Sequence, residues 1–214
     1  MSTEFLILGH RGSPYKAREN TVASFEAALR DGADGFETDL RLLADDKAVL
    51  YHDDDYDGEA VESRTSGEVI ADPLDALAPF AGRGTIVLEV KRAKWEKILV
   101  EHVGSWPGIV VASFDHTAIA ELHRRNVAFP LGVTYTGAIV DVAAYARRLG
   151  ATWLFPNFRY VDRELVDSAH AAGIKVMPWT PNRERDWERL REIGCDGVIT
   201  DFPDRAVQWN ARLR

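Results

Sequence analysis

Short apolar runs rich in valine, isoleucine, leucine and phenylalanine alternate with longer stretches whose apolar residues recur every three or four positions. The short runs predict buried strands, and the longer ones predict helices that cover them. Strands are expected at residues 5–8, 35–40, 85–90, 109–112, 131–134, 153–155, 175–179 and 197–200. Helices are expected at 21–30, 94–103, 116–125, 139–149, 163–172, 184–193 and 205–213, with a further one at 72–80. Asn20, Asp115 and Asp162 stand where N-caps belong, and Gly32, Gly150, Gly173 and Gly194 stand where helices should stop.

Eight strands alternating with helices imply a parallel sheet, and eight is the number that closes a TIM (β/α)8 barrel. An open doubly wound sheet competes, but neither a GxGxxG nor a Walker lysine loop favours it. The rhythm breaks once. Residues 48–52 read as a short extra strand returning through the turn Ala44-Asp45-Asp46, and residues 53–64 are acidic and irregular. The expected fold is therefore an α/β TIM barrel with a small hairpin and a short insertion after strand two. Barrels of this length fold undivided, so residues 1–214 are expected to form one domain.

Composition narrows the function classes. The chain is 46% hydrophobic and 28% charged, the balance of an ordinary globular protein. A net charge of −8 with no basic stripe argues against nucleic acid as a partner. A small phosphate ligand needs only one local positive site and stays open. Cys195 is the sole cysteine, so no intrachain disulfide forms. The opening MSTEFLILG lacks the basic region and long apolar run of a signal peptide, and no segment approaches the roughly 18 apolar residues of a membrane span. A cytoplasmic location without an integral membrane segment is expected. Nothing in the sequence fixes an oligomeric state.

In a barrel the chemistry gathers at the carboxyl ends of the strands. Those positions hold His10 and Arg11, Glu37 and Asp39, His52, Glu89 and Lys91, Ser113, Asn157, Trp179 and Asp201. Glu37 and Asp39 are two apart and share a strand face, as do Glu89 and Lys91. Phe36, Leu40, Leu88 and Val90 then face the helices, so the charged side faces the barrel interior. Unpaired carboxylates in a partly dry place cost several kcal/mol each. Arg11 and Lys91 offer compensating charge, and ion pairing is the bland reading of either motif alone. Three converging carboxylates with water better suit one divalent cation, Mg2+ or Ca2+. His10 and His52 at the same mouth suggest an acid–base pair, because an unperturbed imidazole titrates near pH 6.5. The other four histidines, His102, His116, His123 and His170, fall in helical patterns and read as surface or packing residues.

These residues fall into a familiar order. The chain resembles the glycerophosphodiester phosphodiesterases over nearly its whole length. The resemblance rests on His10-Arg11-Gly12, Glu19-Asn20-Thr21, Gly32-Ala33-Asp34, Glu37-Thr38-Asp39, His52-Asp53, Glu89-Val90-Lys91, Ser113-Phe114, Trp179-Thr180 and the closing run from Gly194 to Pro203. It implies a TIM barrel, a divalent cation, and hydrolysis of a small-molecule glycerophosphodiester to glycerol 3-phosphate and an alcohol. Carried over by position, Glu37, Asp39 and Glu89 resemble the metal ligands and His10 and His52 the acid–base pair. Arg11 and Lys91 look like phosphate contacts. Trp179 looks like a pocket wall, or else packs at the rim. Glu19 either orients Arg11 or serves as a helix-start carboxylate.

Two departures stand out. The segment after His52-Asp53 is short, keeping Ser63-Arg64-Thr65-Ser66-Gly67 as a relic of a longer family segment, and Pro181 replaces the usual valine before Asn182. A trimmed segment there bears on which alcohol is accepted. A related phosphodiesterase acting on lipids, of lysophospholipase D or phospholipase C type, and a relative that binds phosphate without turnover are the competing readings. A sugar-phosphate isomerase shares the barrel but not this carboxylate cluster.

Overall fold

The structure is a computed structural model and describes residues 5–92 and 96–213. Eight parallel staves form the barrel: β1 (Leu6–Gly9), β2 (Gly35–Leu42), β6 (Thr85–Val90), β7 (Ile109–Ser113), β8 (Leu131–Tyr135), β9 (Trp153–Pro156), β10 (Lys175–Val176) and β11 (Gly197–Thr200). Their order in the sheet is β10-β9-β8-β7-β6-β2-β1-β11. The expected strand 175–179 is regular only at Lys175–Val176. Beyond it, Pro178 has no N–H to give a ladder, and the ring closes through single parallel bridges from Trp179 to Asn157 and to Ile199.

The insertion departs from its expected irregularity. β3 (Ala48–Leu50) pairs antiparallel with β2, Leu40 facing Leu50. Beyond it, β4 (Asp55–Tyr56) and β5 (Glu59–Ala60) make a second, two-residue hairpin. Asp57 and Gly58 link them with φ of 51° and 79°, the left-handed pair such a turn demands.

Helices α1 (Val22–Arg30), α2 (Glu96–Val103), α3 (His116–Arg124), α4 (Val142–Arg148), α5 (Arg163–Ala171), α6 (Glu184–Glu192) and α7 (Pro203–Ala211) cover the outside. Positions 94 and 95 of the expected 94–103 helix lie outside the described residues. Asp115 and Asp162 cap as expected, accepting from Thr117 N at 3.0 Å and Leu165 N at 2.9 Å. Asn20 does not cap α1. Thr21 does, and Asn20 is freed for the site. The expected helix at 72–80 is a 3-10 helix over Leu74–Phe80 with Pro79 inside it, where an α-helical ladder would lack an N–H. α4 starts at Val142 rather than 139, leaving Ile139 and Val140 on an exposed loop. The last helix starts earlier than expected, with Pro203 at its first turn.

Strand alternation splits the core into two layers. Phe36, Leu40, Leu88 and Val90 pack outward with the helices. Leu8, Val87, Val110, Ala112, Trp153, Phe155, Met177 and Ile199 fill the barrel. Gly132 makes room for that filling, since a Cβ there would sit 2.3 Å from the Phe155 ring. The inner layer forms a floor, and the charged residues lie above it.

Candidate active site

The floor and the strand ends enclose a cavity of about 210 Å3 lined by His10, Arg11, Glu37, Asp39, His52, Glu89, Lys91 and Trp179, with Val87, Phe114, Thr134 and Phe155 among its remaining wall residues. Eight of the nine predicted site residues thus share one space. Glu19, the ninth, stands behind Arg11 and accepts from its Nη1 at 2.8 Å.

The carboxylates lie as strand parity requires. β2 pairs with β6 so that Asp39 faces Glu89, and Glu37 precedes Asp39 on the same side. Glu37, Asp39 and Glu89 are 3%, 1% and 8% exposed, and one oxygen from each lies within 4.8 Å of the others. Lys91 Nζ donates to Asp39 Oδ1 at 2.5 Å and also to Glu89 Oε1. Arg11 Nε stands 3.3 Å from Asp39 Oδ2. Burial would raise the Asp39 carboxyl, but the charges of Lys91 and Arg11 outweigh it and hold Asp39 below the usual range. Glu37 is less well compensated. Burial, then the Asp39 charge, push it up to about 8. Its hydrogen-bond donor is the Arg11 backbone N–H at 3.0 Å, with His10 Nε2 3.9 Å away. Burial raises Glu89 as well, against the pull of Lys91. Three hard oxygen donors with charge left over fit a divalent cation.

The loop after β1 sets Arg11 by backbone geometry. Arg11 has φ of 54° and Gly12 of 88°, and a Cβ on Gly12 would lie 2.4 Å from Ser24 Oγ. Glycine is required there. Ser24 Oγ in turn donates to Arg11 O at 2.9 Å. Asn20, also left-handed at φ 54°, donates from Nδ2 to Asp39 Oδ2 at 2.9 Å and accepts from Thr38 Oγ1 at 2.8 Å. Burial would lower the Arg11 guanidinium, but Asp39 and Glu37 raise it further. Lys91 behaves likewise between Asp39 and Glu89.

Both histidines give Nδ1–H to an aspartate. His10 Nδ1 donates to Asp201 Oδ1 at 2.7 Å, and His52 Nδ1 donates to Asp53 Oδ1 at 2.8 Å. Each ring is left with Nε2 as its exchanging atom. Burial alone would lower the His10 pKa, but the Asp201 bond and the Glu37 charge outweigh it, and the net shift is upward. Burial would raise Asp201, yet its bond to His10 dominates and holds it low. Asn182 fixes Asp201, donating from Nδ2 to Oδ2 at 2.5 Å while its Oδ1 accepts from the Asp201 backbone N–H at 3.0 Å.

Asp201 stood among the strand-end residues but carried no predicted role. Its place next to His10 follows from β11 pairing with β1, strands that lie far apart along the sequence. By sequence Asn20 reads as a cap and Asn182 as part of a motif, and neither side chain advertises its partner. Ser113 and Asn157 are structural: Ser113 Oγ donates to Val90 O at 2.5 Å, and Asn157 caps a 3-10 turn. Trp179 is a wall, pinned by Nε1 donating to Phe155 O at 2.8 Å and met edge-on by Phe114 at 5.5 Å. The other histidines stay outside the cavity. His116, for example, bonds Tyr145 Oη at 2.9 Å and Thr134 O at 2.9 Å.

Comparison with known proteins identifies the family. The family model described as "Glycerophosphoryl diester phosphodiesterase family" matches residues 10–108 and 85–205. A protein named glycerophosphodiester phosphodiesterase from Caldanaerobacter subterraneus subsp. tengcongensis is 29% identical, covering 94% of this chain and 96% of that protein. Its alignment spans 238 residues against a chain of 214, so that relative carries segments absent here. One of the same name from Bacillus altitudinis is 29% identical over 97% and 99% of the two chains. Among solved structures, a putative glycerophosphoryl diester phosphodiesterase from Silicibacter pomeroyi shares the fold with a TM-score of 0.89 at 21% identity, over 100% and 95% of the chains. An Oleispira antarctica phosphodiesterase solved with the product sn-glycerol-3-phosphate superposes with a TM-score of 0.85 at 22% identity, over 95% and 96%. With barrel, motif order and family match in agreement, this chain belongs to the glycerophosphoryl diester phosphodiesterase family of phosphoric diester hydrolases.

Proposed function

We propose that the protein hydrolyses small glycerophosphodiesters to sn-glycerol 3-phosphate and an alcohol, with His10 and His52 exchanging protons at opposite ends of the displacement. One observation carries this reading: both histidines, Arg11, Lys91 and the three buried carboxylates line the same cavity. Glu37, Asp39 and Glu89 would hold one divalent cation, Mg2+ or Ca2+, which when bound supplies charge that offsets the growing negative charge on phosphate oxygens. The remaining work falls to the chain itself. Arg11, braced by Glu19 and Asp39, grips the non-bridging oxygens, as a guanidinium does well. Lys91 uses two of its three N–H groups on Asp39 and Glu89 and has one left for phosphate. His10, with Asp201 fixing the proton on Nδ1, trades a proton at Nε2 with one oxygen of the diester. His52 does the same at the other end. Trp179 and Phe114 give the cavity an apolar wall.

The test is turnover of glycerophosphocholine with Mg2+ or Ca2+ present, read as sn-glycerol 3-phosphate. His10→Ala and His52→Ala should each lose about 10²–10⁴ in kcat, the usual weight of general acid–base catalysis. A protein that binds the diester in calorimetry without turning it over would replace this reading with that of a binding relative. Phe114 at 47% exposed and Val140 at 88% on strand-end loops favour a second reading, a lipid-like substrate. A diester panel in which lysolipids turn over and glycerophosphocholine does not would select it.

A further inference from the structure

We propose that Arg41 is a positioning residue for His52. The inference rests on the reading that His52 exchanges a proton with substrate. Residues 37, 39 and 41 have the same parity on β2, so Arg41 follows the two carboxylates along one face of that strand, nearer its carboxyl end. The residue is 3% exposed, which is rare for arginine unless it is paired. Its guanidinium is a three-way clamp. Nη2 donates to His52 O at 2.8 Å and to Asp54 Oδ1 at 2.6 Å. Nη1 donates to Glu62 Oε1 at 3.2 Å.

The three acceptors lie on the segment that carries His52 away from the barrel. Asp54 is tied onward, its carbonyl accepting from Val61 N at 2.9 Å. Arg92 Nε stands 3.5 Å from the same Glu62 oxygen. The side chains of His52 and Asp53 are 37% and 67% exposed, so their mutual bond orients the ring without anchoring the backbone. Arg41 supplies that anchor from a strand that also bears Glu37 and Asp39. One stave thereby fixes the distance between the carboxylate cluster and the second histidine. A planar fork suits this task, since its donors are fixed relative to one another whereas an ammonium rotates on a flexible stem.

Steady-state kinetics with glycerophosphocholine in wild type, Arg41→Met, Arg41→Lys, His52→Ala and the Arg41→Met/His52→Ala double variant test this. Misplacing a catalytic group by about 1 Å costs about 10²-fold. Arg41→Met should lower kcat by about that factor with KM within about twofold and with Mg2+ or Ca2+ affinity unchanged in calorimetry. Arg41→Lys should fall between. In the His52→Ala background, Arg41→Met should cost nothing more. Equal losses from Arg41→Met in both backgrounds, or no loss in either, would overturn the inference while leaving the histidine assignment intact. A His52→Ala enzyme with wild-type kcat would overturn both, and that single variant identifies which has failed. Should Arg41→Met not fold, Asp54→Asn opens the same clamp from a residue whose side chain is 78% exposed. It should lower kcat in the wild-type background and not in His52→Ala, and full activity would count against the clamp.

Discussion

Replacing Asp201 by asparagine keeps the shape of the side chain and removes its charge. Two donors converge on this carboxylate, His10 Nδ1 at 2.7 Å on one oxygen and Asn182 Nδ2 at 2.5 Å on the other. An amide offers one oxygen and one NH2, so one donor must then face another donor. If His10 loses, its proton moves to Nε2 and the ring presents an N–H to the cavity where it should present a lone pair. If Asn182 loses, the support of residue 201 fails instead. A hydrogen bond to a charged group is worth about 1.5–3 kcal/mol. At about 1.36 kcal/mol per factor of ten, kcat for glycerophosphocholine should fall by about 10- to 10²-fold. The assay is initial release of sn-glycerol 3-phosphate with the cation in excess. Two controls separate orientation from unfolding. Each kcal/mol of destabilisation shifts Tm by about 2–4 °C in a chain of this size, so a small Tm change with a large kcat change isolates the site. The His10→Ala/Asp201→Asn pair should lose no more than His10→Ala alone. An Asp201→Asn enzyme with full turnover, or losses that multiply in the double variant, would refute the role assigned to Asp201.

Three further predictions follow from other parts of the molecule. Glu37→Gln should weaken Mg2+ or Ca2+ binding measured by calorimetry, and excess metal should partly restore turnover; a variant indifferent to metal concentration removes Glu37 from the ligand set. Gly132→Ala places a methyl 2.3 Å from the Phe155 ring inside the barrel, and overpacking of this kind costs about 1–3 kcal/mol, so Tm should drop measurably while an unchanged Tm would show that the floor yields freely. Cys195 is buried and its thiol is pushed up to about 12 by burial and the nearby Asp196, so a thiol reagent at pH 8 should leave the native protein unlabelled and modify one thiol per chain after denaturation.

Much of this architecture is legible in sequence because two periods write it there. Alternation within 35–40 and 85–90 puts Glu37, Asp39 and Glu89 on the inner face before any coordinates are known, and the structure places them there. Other features need the third dimension. Asp201 lies 191 positions from His10, and only the sheet order makes the first and last staves neighbours. Asn20 precedes a helix as a cap would, yet its left-handed backbone turns the side chain inward and passes the capping to Thr21. Arg41 shares the parity of the carboxylates, but an arginine beside a polar turn reads as surface until its three acceptors are seen. Pro79 and Pro178 interrupt apolar patterns that periodicity alone would extend.

The adjacency of β1 and β11 in the sheet has a consequence for biosynthesis. Leu6 to Gly9 find their partners Gly197 to Thr200 only once those residues have been made, and pairings so far apart along the chain form slowly. A nascent chain halted before residue 197 would already possess Arg11, both imidazoles and the three buried carboxylates, yet would lack Asp201, which accepts from His10 Nδ1. The surroundings of His10 are thus complete only with β11, so a shortened product carries most of the cavity's charged groups without the carboxylate that orients its first imidazole.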